Sequence, residues 1–366
     1  MRIAVIGAGN SGLAMAGHLS LFGHEVRLWN RSEPTIEVIR QTGLAHLMGE
    51  LEGVTKLALV TTDLAEAVRG CSLILITTPA SSHRELAVRL APILEDSVDV
   101  VLNPGRTFGA IEFRSTIQSI RADLSIHIAE TQTIIYTCRK IGPATVNILA
   151  FKQDVLFSSF NPDLTAAMLK RLPDCLRGYF IPARSMIETS LGNVGMILHC
   201  LPFLINISRV ESGQPFKYYI EGITPSVAKL LEKADAERLA VAARLGQTLE
   251  SCEAWMKRTY QIRGEGLYEV IQANTAYYTI DAPANMIHRY IFEDIPCGLV
   301  PLEVAGRFLD MPTPVVSMIL DFATHLLDHD FRLDGRNLSE LSEMPHASEL
   351  FESTFLAKEA FHETEP

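Results

Sequence analysis

The opening thirty-two residues, MRIAVIGAGNSGLAMAGHLSLFGHEVRLWNRS, leave this chain few ways to fold. Arg2–Ile6 is an apolar run of the kind a buried parallel strand needs. Gly7, Gly9 and Gly12 follow at G-x-G-x-x-G spacing, then Leu13, Ala14, Ala16 and Leu19 recur at helical intervals, and His24–Trp29 reads as a second strand. Strand, glycine turn, helix, strand is the context in which this spacing signals a dinucleotide site. Gly7 permits the tight turn, Gly9 lets backbone approach a pyrophosphate, and Gly12 lets the helix pack closely on the sheet. At the helix start, Asn10 and Ser11 sit where unpaired N–H groups and the positive end of the helix dipole favour phosphate. The alternative is a glycine turn that merely packs a helix.

The second strand ends in Trp29-Asn30-Arg31-Ser32. An NAD site usually has Asp or Glu here, to accept from the ribose 2′-OH. Asn30 does not repel a 2′-phosphate, and the Arg31 guanidinium can pair with one. NADP(H) is therefore favoured, with NAD(H) left open. Glu25 lies too early in the strand to serve the ribose.

A chain of 366 residues suits two domains, and 48% hydrophobic against 20% charged residues permits a sizeable core. The formal charge of −11 argues against nucleic acid or an anionic membrane as a partner, though a site can be locally basic. Cys71, Cys138, Cys175, Cys200, Cys252 and Cys297 are scattered without metal-ligand spacing and read as thiols in a reducing compartment. No signal peptide or membrane-spanning run is apparent, so a cytoplasmic location is expected. A homodimer is compatible with this reading. No metal site is expected.

Strand and helix signals alternate through the first half. Pro34–Met48 reads as a helix and connection with Ser32 as cap, Lys56–Thr61 as a strand, and Leu64–Arg69 as a helix capped by Asp63. Ser72–Thr77 is a strand, Arg84–Leu94 a helix capped by Ser81 or Ser82, and Val98–Leu102 a strand. Ser125–Ala129, Val146–Lys152 and Asp154–Phe160 are further β segments. This alternation predicts a doubly wound α/β sheet. Ligands in such sheets sit beyond the carboxyl ends of strands. Thr78 and Pro79 follow one such end, and Asn103-Pro104-Gly105-Arg106-Thr107 follows another. Arg106 could clamp a substrate carboxylate or be an ordinary surface arginine. His83 reads as a first-turn helical residue rather than a catalytic one.

The pattern turns helical near residue 183, predicting a dinucleotide-binding domain over 1–183 and an all-α substrate domain over 184–366. Helices are expected within Met186–Ile207, where Pro202 should kink or end a segment, and over Pro225–Ala242, Cys252–Tyr260, Leu267–Ala273 and Pro314–Leu327. The acidic Ser348–Pro366 tail is expected to be partly exposed. Three stretches carry chemistry. NVGMILHCLPFLIN (193–206) places His199 on an apolar helix, where it could be a general acid–base or a core histidine satisfied by backbone. YIEGITP (219–225) is a turn into a helix. HRYIFEDIPCGLVP (288–301) reads as an apolar loop holding Arg289, Glu293 and Asp294. Asp294 could orient a histidine, or Glu293 and Asp294 could form a solvated turn.

These stretches, together with GAGNSG at 7, NPGRTFGAIEF at 103, ETQTIIYTCR at 130 and YYIEGITPSVAKLLEKADAERLAVAARLG at 218, resemble in order the NAD(P)-dependent opine dehydrogenases of octopine/nopaline type. The resemblance spans nearly the whole chain. It implies a Rossmann domain and a helical domain flanking a cleft, and reductive condensation of a 2-keto acid such as pyruvate with an amino acid. It implies His199 as the catalytic histidine with Asp294 as its acidic partner, and Arg289 as a contact to the cofactor pyrophosphate. Glu130, Thr131 and Cys138 fall in the segment lining the amino-acid site. Arg106 stands where family members can carry a substrate-contacting glutamine. Two other readings compete: a keto- or hydroxy-acid oxidoreductase of the ketopantoate reductase or 6-phosphogluconate dehydrogenase kind, and a non-catalytic NADP(H) sensor. The former places a lysine in the catalytic centre, but Lys217, Lys229 and Lys233 lie in no such motif.

Overall fold

A computed structural model describes residues 1–338. The chain divides into two compact units, residues 1–190 and the residues from Leu191 onward. The acidic Ser348–Pro366 segment lies outside the described residues. Among the described residues no helix is long and apolar enough to cross a membrane.

The first unit is the expected doubly wound α/β fold. Its strands are β1 (Arg2–Ile6), β2 (Glu25–Trp29), β3 (Leu44–Gly49), β4 (Gly53–Lys56), β5 (Leu59–Thr61), β6 (Leu73–Ile76) and β7 (Asp99–Leu102). Then come β8 (His127–Thr131), β9 (Tyr136–Gly142), β10 (Thr145–Phe151), β11 (Val155–Ser159) and β12 (Phe180–Pro182). Eight form one sheet in the order β12-β11-β8-β7-β6-β1-β2-β5, with β11 antiparallel to β8 and the other pairings parallel. The chain runs outward from β1 through β2 on one side and through β6 and β7 on the other. That reversal opens a crevice beyond the ends of β1 and β6, the place where such sheets bind ligands.

The other four strands form a second sheet, β4-β3-β10-β9, of which the sequence pattern signalled β10, as Val146–Lys152, but not a separate sheet. Pro34–Met48 is not one helix with its connection. The helix Glu33–Thr42 stops at Gly43, whose φ of +70° suits glycine, and β3 begins at Leu44. Only Ala45 and Leu47 of β3 are buried, too short an alternation to announce a strand. Likewise Lys56–Thr61 is two strands, since Lys56 closes β4 and β5 begins at Leu59. The helix Gly109–Ile120 has no counterpart among the elements read from the sequence. Asp63 caps its helix as expected, accepting from the Ala65 and Glu66 amides. Ser32 makes no side-chain cap, and Ser82 turns its hydroxyl back to Thr78 and Pro79 instead of capping. His83 is the first, fully buried residue of helix His83–Leu90.

The second sheet explains why the helix Asn10–Leu21 is apolar all round. Every residue from Gly12 to Leu19 is buried, as a helix covered on more than one face must be. Its core partners include Val5 and Leu75 of the large sheet and Leu47, Val146 and Ile148 of the small one. Gly17 permits the contact with β3: a Cβ there would lie 2.6 Å from a Leu47 methyl carbon.

The second unit is helical. The helix Gly195–Ile205 contains Pro202 and is buried from Met196 through Leu204. Pro225–Arg244 is the longest helix described, and Cys252–Tyr260, Gly266–Ala273 and Pro314–Leu327 follow near their expected bounds. Arg238 ties this unit together from a fully buried position. Its guanidinium donates to Asp235, to the Leu191 carbonyl and to the Glu250 carbonyl, so the buried charge is both paired and hydrogen-bonded. None of the six cysteines is in a disulfide.

Candidate active site

In the first unit the glycine turn has the shape its spacing requires. Gly7 adopts φ +112°, and a Cβ on Gly12 would lie 1.8 Å from the Gly7 carbonyl oxygen, so neither position admits another residue without backbone movement. A Cβ on Gly9 meets nothing within 4 Å, which leaves the turn open for a ligand. The residues thus fit a dinucleotide pyrophosphate, with Asn10 and Ser11 opening the helix beside it. The Asn30 side chain completes the turn by accepting from the Ala8 amide at 3.1 Å and donating to the Ser32 carbonyl at 3.1 Å. Thr77 at the end of β6 donates to the Ile6 and Gly7 carbonyls, and Thr78 and Pro79 come next on that rim. Arg31 is exposed and ion-paired with Glu85 at 3.3 Å.

The ends of β7 and β8 meet beside this rim. Arg106 adopts φ +61° in the loop after β7, and Gly105 donates to the Thr131 carbonyl. Glu130 is fully buried beneath the loop. Its carboxylate accepts from the Ala110 amide at 3.0 Å, Thr189 Oγ1 at 2.7 Å and Ser190 Oγ at 2.6 Å. A Cβ on Gly105 would collide with that carboxylate. Arg106, Glu130 and Thr131 are therefore brought together, whereas Cys138 lies on β9 in the other sheet. Burial raises the pKa of its thiol, partly offset by Ser11 beside it.

In the second unit, His199 and Asp294 meet across 95 positions of sequence. His199 Nδ1 lies 2.7 Å from Asp294 Oδ2, and the Asp294 side chain is wholly buried. The segment 288–301 is not a loop. His288 caps the short helix Arg289–Phe292, and the Asp294 and Leu299 amides bond five residues back, to Arg289 and Asp294. This widened winding runs directly into the helix Val300–Phe308. Such π-type turns recur at functional sites because they re-aim side chains. Glu293 and Asp294 are thus buried rather than solvated.

A carboxylate at Nδ1 places the ring proton there and leaves Nε2 to accept. Tyr219 Oη lies 3.0 Å from Nε2. Burial raises the Tyr219 pKa far above its ordinary value, so its hydroxyl keeps a proton to donate. Tyr290 stacks on the imidazole with centroids 3.9 Å apart, and Tyr218 donates to the His199 carbonyl. A Cβ on Gly195 would sit 3.3 Å from His199 Cε1, so that glycine leaves the ring its space. Arg289 is exposed, with its guanidinium 5.8 Å from the Tyr290 ring centroid. Sequence reasoning passed over Tyr290 and gave Tyr219 no chemical role; tyrosines in apolar helices carry no spacing signal.

A family model described as the alpha-helical domain of NAD/NADP octopine/nopaline dehydrogenase matches residues 182–327, which include His199 and Asp294. Another, the N-terminus of NAD-dependent glycerol-3-phosphate dehydrogenase, matches residues 2–105. Over 339 residues the chain is 38% identical to an opine dehydrogenase of Arthrobacter sp. (strain 1C), covering 92% of this chain and 94% of that one. Octopine dehydrogenase solved with NADH and L-arginine shares the fold at TM-score 0.76 and 19% identity, over 93% of this chain and 94% of that one. Yersinopine dehydrogenase with NADP+ bound does so at TM-score 0.75 and 14% identity, over 97% and 98%. On the near full-length match to the Arthrobacter enzyme, the chain belongs to the opine dehydrogenase family, NAD(P)-dependent oxidoreductases acting on CH–NH bonds.

Proposed function

We propose that the chain joins a 2-keto acid such as pyruvate to the amino group of an amino acid and reduces the resulting imine, using NADP(H) in preference to NAD(H). The observation that carries this reading is the 2.7 Å pair of His199 with the wholly buried Asp294. A sensor of cofactor needs no such pair. Bound NAD(P)H supplies the hydride. His199 in its protonated form gives a proton to the hydroxyl of the carbinolamine that the two substrates form, and that oxygen leaves as water. Asp294 holds the ring orientation and offsets the imidazolium charge. Tyr219, protonated by virtue of its burial, keeps Nε2 aligned until substrate displaces it. Arg106 binds a substrate carboxylate near Glu130 and Thr131, and Arg289 contacts the pyrophosphate. The cofactor preference rests on Asn30 in place of a carboxylate and on the basic Arg31 beside it.

The test is NADPH oxidation across keto acids and amino acids, presented singly and in pairs. Consumption only when both are present supports the condensation. Consumption with a keto acid alone favours a ketopantoate reductase-like activity, and NADPH binding without consumption by any pair favours the sensor.

A further inference from the structure

Strand β9 lies beside the N-terminal end of the helix Asn10–Leu21. Its alternation turns Tyr136, Cys138 and Lys140 inward and Thr137, Arg139 and Ile141 outward. The Lys140 amide donates to Asn10 Oδ1 at 2.8 Å. This tie sets β9 against the glycine turn. The Lys140 ammonium then donates to the Thr35 carbonyl at 3.2 Å and lies 3.5 Å from the Ala8 carbonyl. Ala8 stands between the first two glycines of the turn. Thr35 lies in the first turn of the helix that follows β2. The ammonium therefore bridges the two backbone segments that border the adenosine ribose in a dinucleotide fold.

Lys140 is partly buried and held by neutral carbonyl oxygens, and burial lowers its pKa from the ordinary lysine value. A cation in that setting gains more from an incoming anion than a fully hydrated one does. The neighbouring groups decide which anion. The Lys140 ammonium lies between the Ala8 carbonyl of the glycine turn at 3.5 Å and the Thr35 carbonyl, beyond the end of β2, at 3.2 Å. Asn30 is neutral and spends its amide on Ala8 and Ser32. Arg31 is exposed and engaged with Glu85. We propose that Lys140, supplied by the small sheet and not by the end of β2, is the cationic partner of the adenosine 2′-phosphate and so a determinant of cofactor specificity. The inference rests on the NADP(H) preference given above.

Direct binding tests it without turnover. The full chain and its Lys140→Met variant are titrated with NADPH, NADH, adenosine 2′,5′-bisphosphate and 5′-ADP, with melting temperature as the folding control and Lys140→Arg as a second variant. Wild-type protein should bind the bisphosphate more tightly than 5′-ADP. Lys140→Met should weaken NADPH and the bisphosphate about tenfold or more, the loss expected for one charge-assisted hydrogen bond. It should leave NADH and 5′-ADP within about twofold. Lys140→Arg should recover most of the NADPH affinity. Equal weakening of the ligands with and without a 2′-phosphate, or no weakening, overturns the assignment. If wild-type protein prefers the 2′-phosphate and Lys140→Met keeps that preference, the cofactor reading stands and only the role of Lys140 falls. If wild-type protein has no preference, both fall.

Discussion

Two histidines among the described residues are buried among aromatic rings and hydrogen-bonded to a tyrosine hydroxyl, and of these two only His199 is paired with a carboxylate. In the first unit, His18 Nδ1 lies 3.0 Å from Tyr136 Oη, with Phe22, Phe151 and Tyr179 edge-on around it. In the second, His199 Nε2 lies 3.0 Å from Tyr219 Oη, with Tyr290 stacked on the ring. The difference is Asp294. Without a carboxylate, burial depresses the His18 pKa to about 4 and keeps the ring neutral. With one, His199 has a counter-charge for the imidazolium and a fixed tautomer. A tyrosine and an aromatic cage position a histidine; on the proposed function, the carboxylate is what lets His199 carry a proton through the reaction.

The largest break in this comparison is removal of the His199 ring. His199→Ala should lower kcat by about 10³-fold, within the range for loss of a positioned acid–base group, while NADPH affinity changes by less than about twofold. Turnover within about tenfold of wild type would remove His199 from the mechanism.

Asp294→Asn is the sharper experiment, because it makes His199 resemble His18. The amide keeps the shape but loses the charge. We expect kcat/KM to fall about a hundredfold, less than for His199→Ala. The alkaline limb of the pH–rate profile should move to lower pH, since the imidazolium has lost its counter-charge. A fall in rate with an unmoved profile would mean that Asp294 only braces the fold.

The same contrast explains what could be read from the residues in order. The cofactor turn is local: Gly7, Gly9 and Gly12 lie within six residues, Gly7 by its positive φ and Gly12 by its contact with the Gly7 carbonyl exclude a side chain, and Gly9 leaves the turn open. The His199–Asp294 pair is assembled across 95 positions, and periodicity alone left His199 looking like a core residue. Only the resemblance of motifs paired it with Asp294. The helices Pro225–Arg244 and Pro314–Leu327 were legible because their apolar spacing and leading prolines agree. The small sheet was legible only in β10, read as Val146–Lys152. Its strand β3 alternates over too few buried residues, and the sheet's partner is a helix whose apolar outer face makes sense only once the sheet covers it. Lys140 was passed over for the same reason, because nothing in the local sequence brings β9 to the glycine turn.

The smallest effect concerns His18 and separates cage from catalyst. The folded pKa of about 4 lies below the ordinary 6.5, so between these values the unfolded chain takes up a proton that the folded chain refuses. Stability from this residue is therefore whole above about pH 6.5 and is lost progressively as the pH falls toward 4. His18→Gln retains a partner for Tyr136 but cannot titrate. Its melting temperature at pH 7.5 should sit below wild type, because the ring packing is lost. The further fall on going to pH 4.5 should be smaller than wild type's, by roughly 2–4 °C for each kcal/mol of proton linkage removed. Turnover at neutral pH should be unchanged. An identical acid-induced fall in both proteins would show that the cage does not hold His18 neutral, and the contrast with His199 would then lie elsewhere than in Asp294.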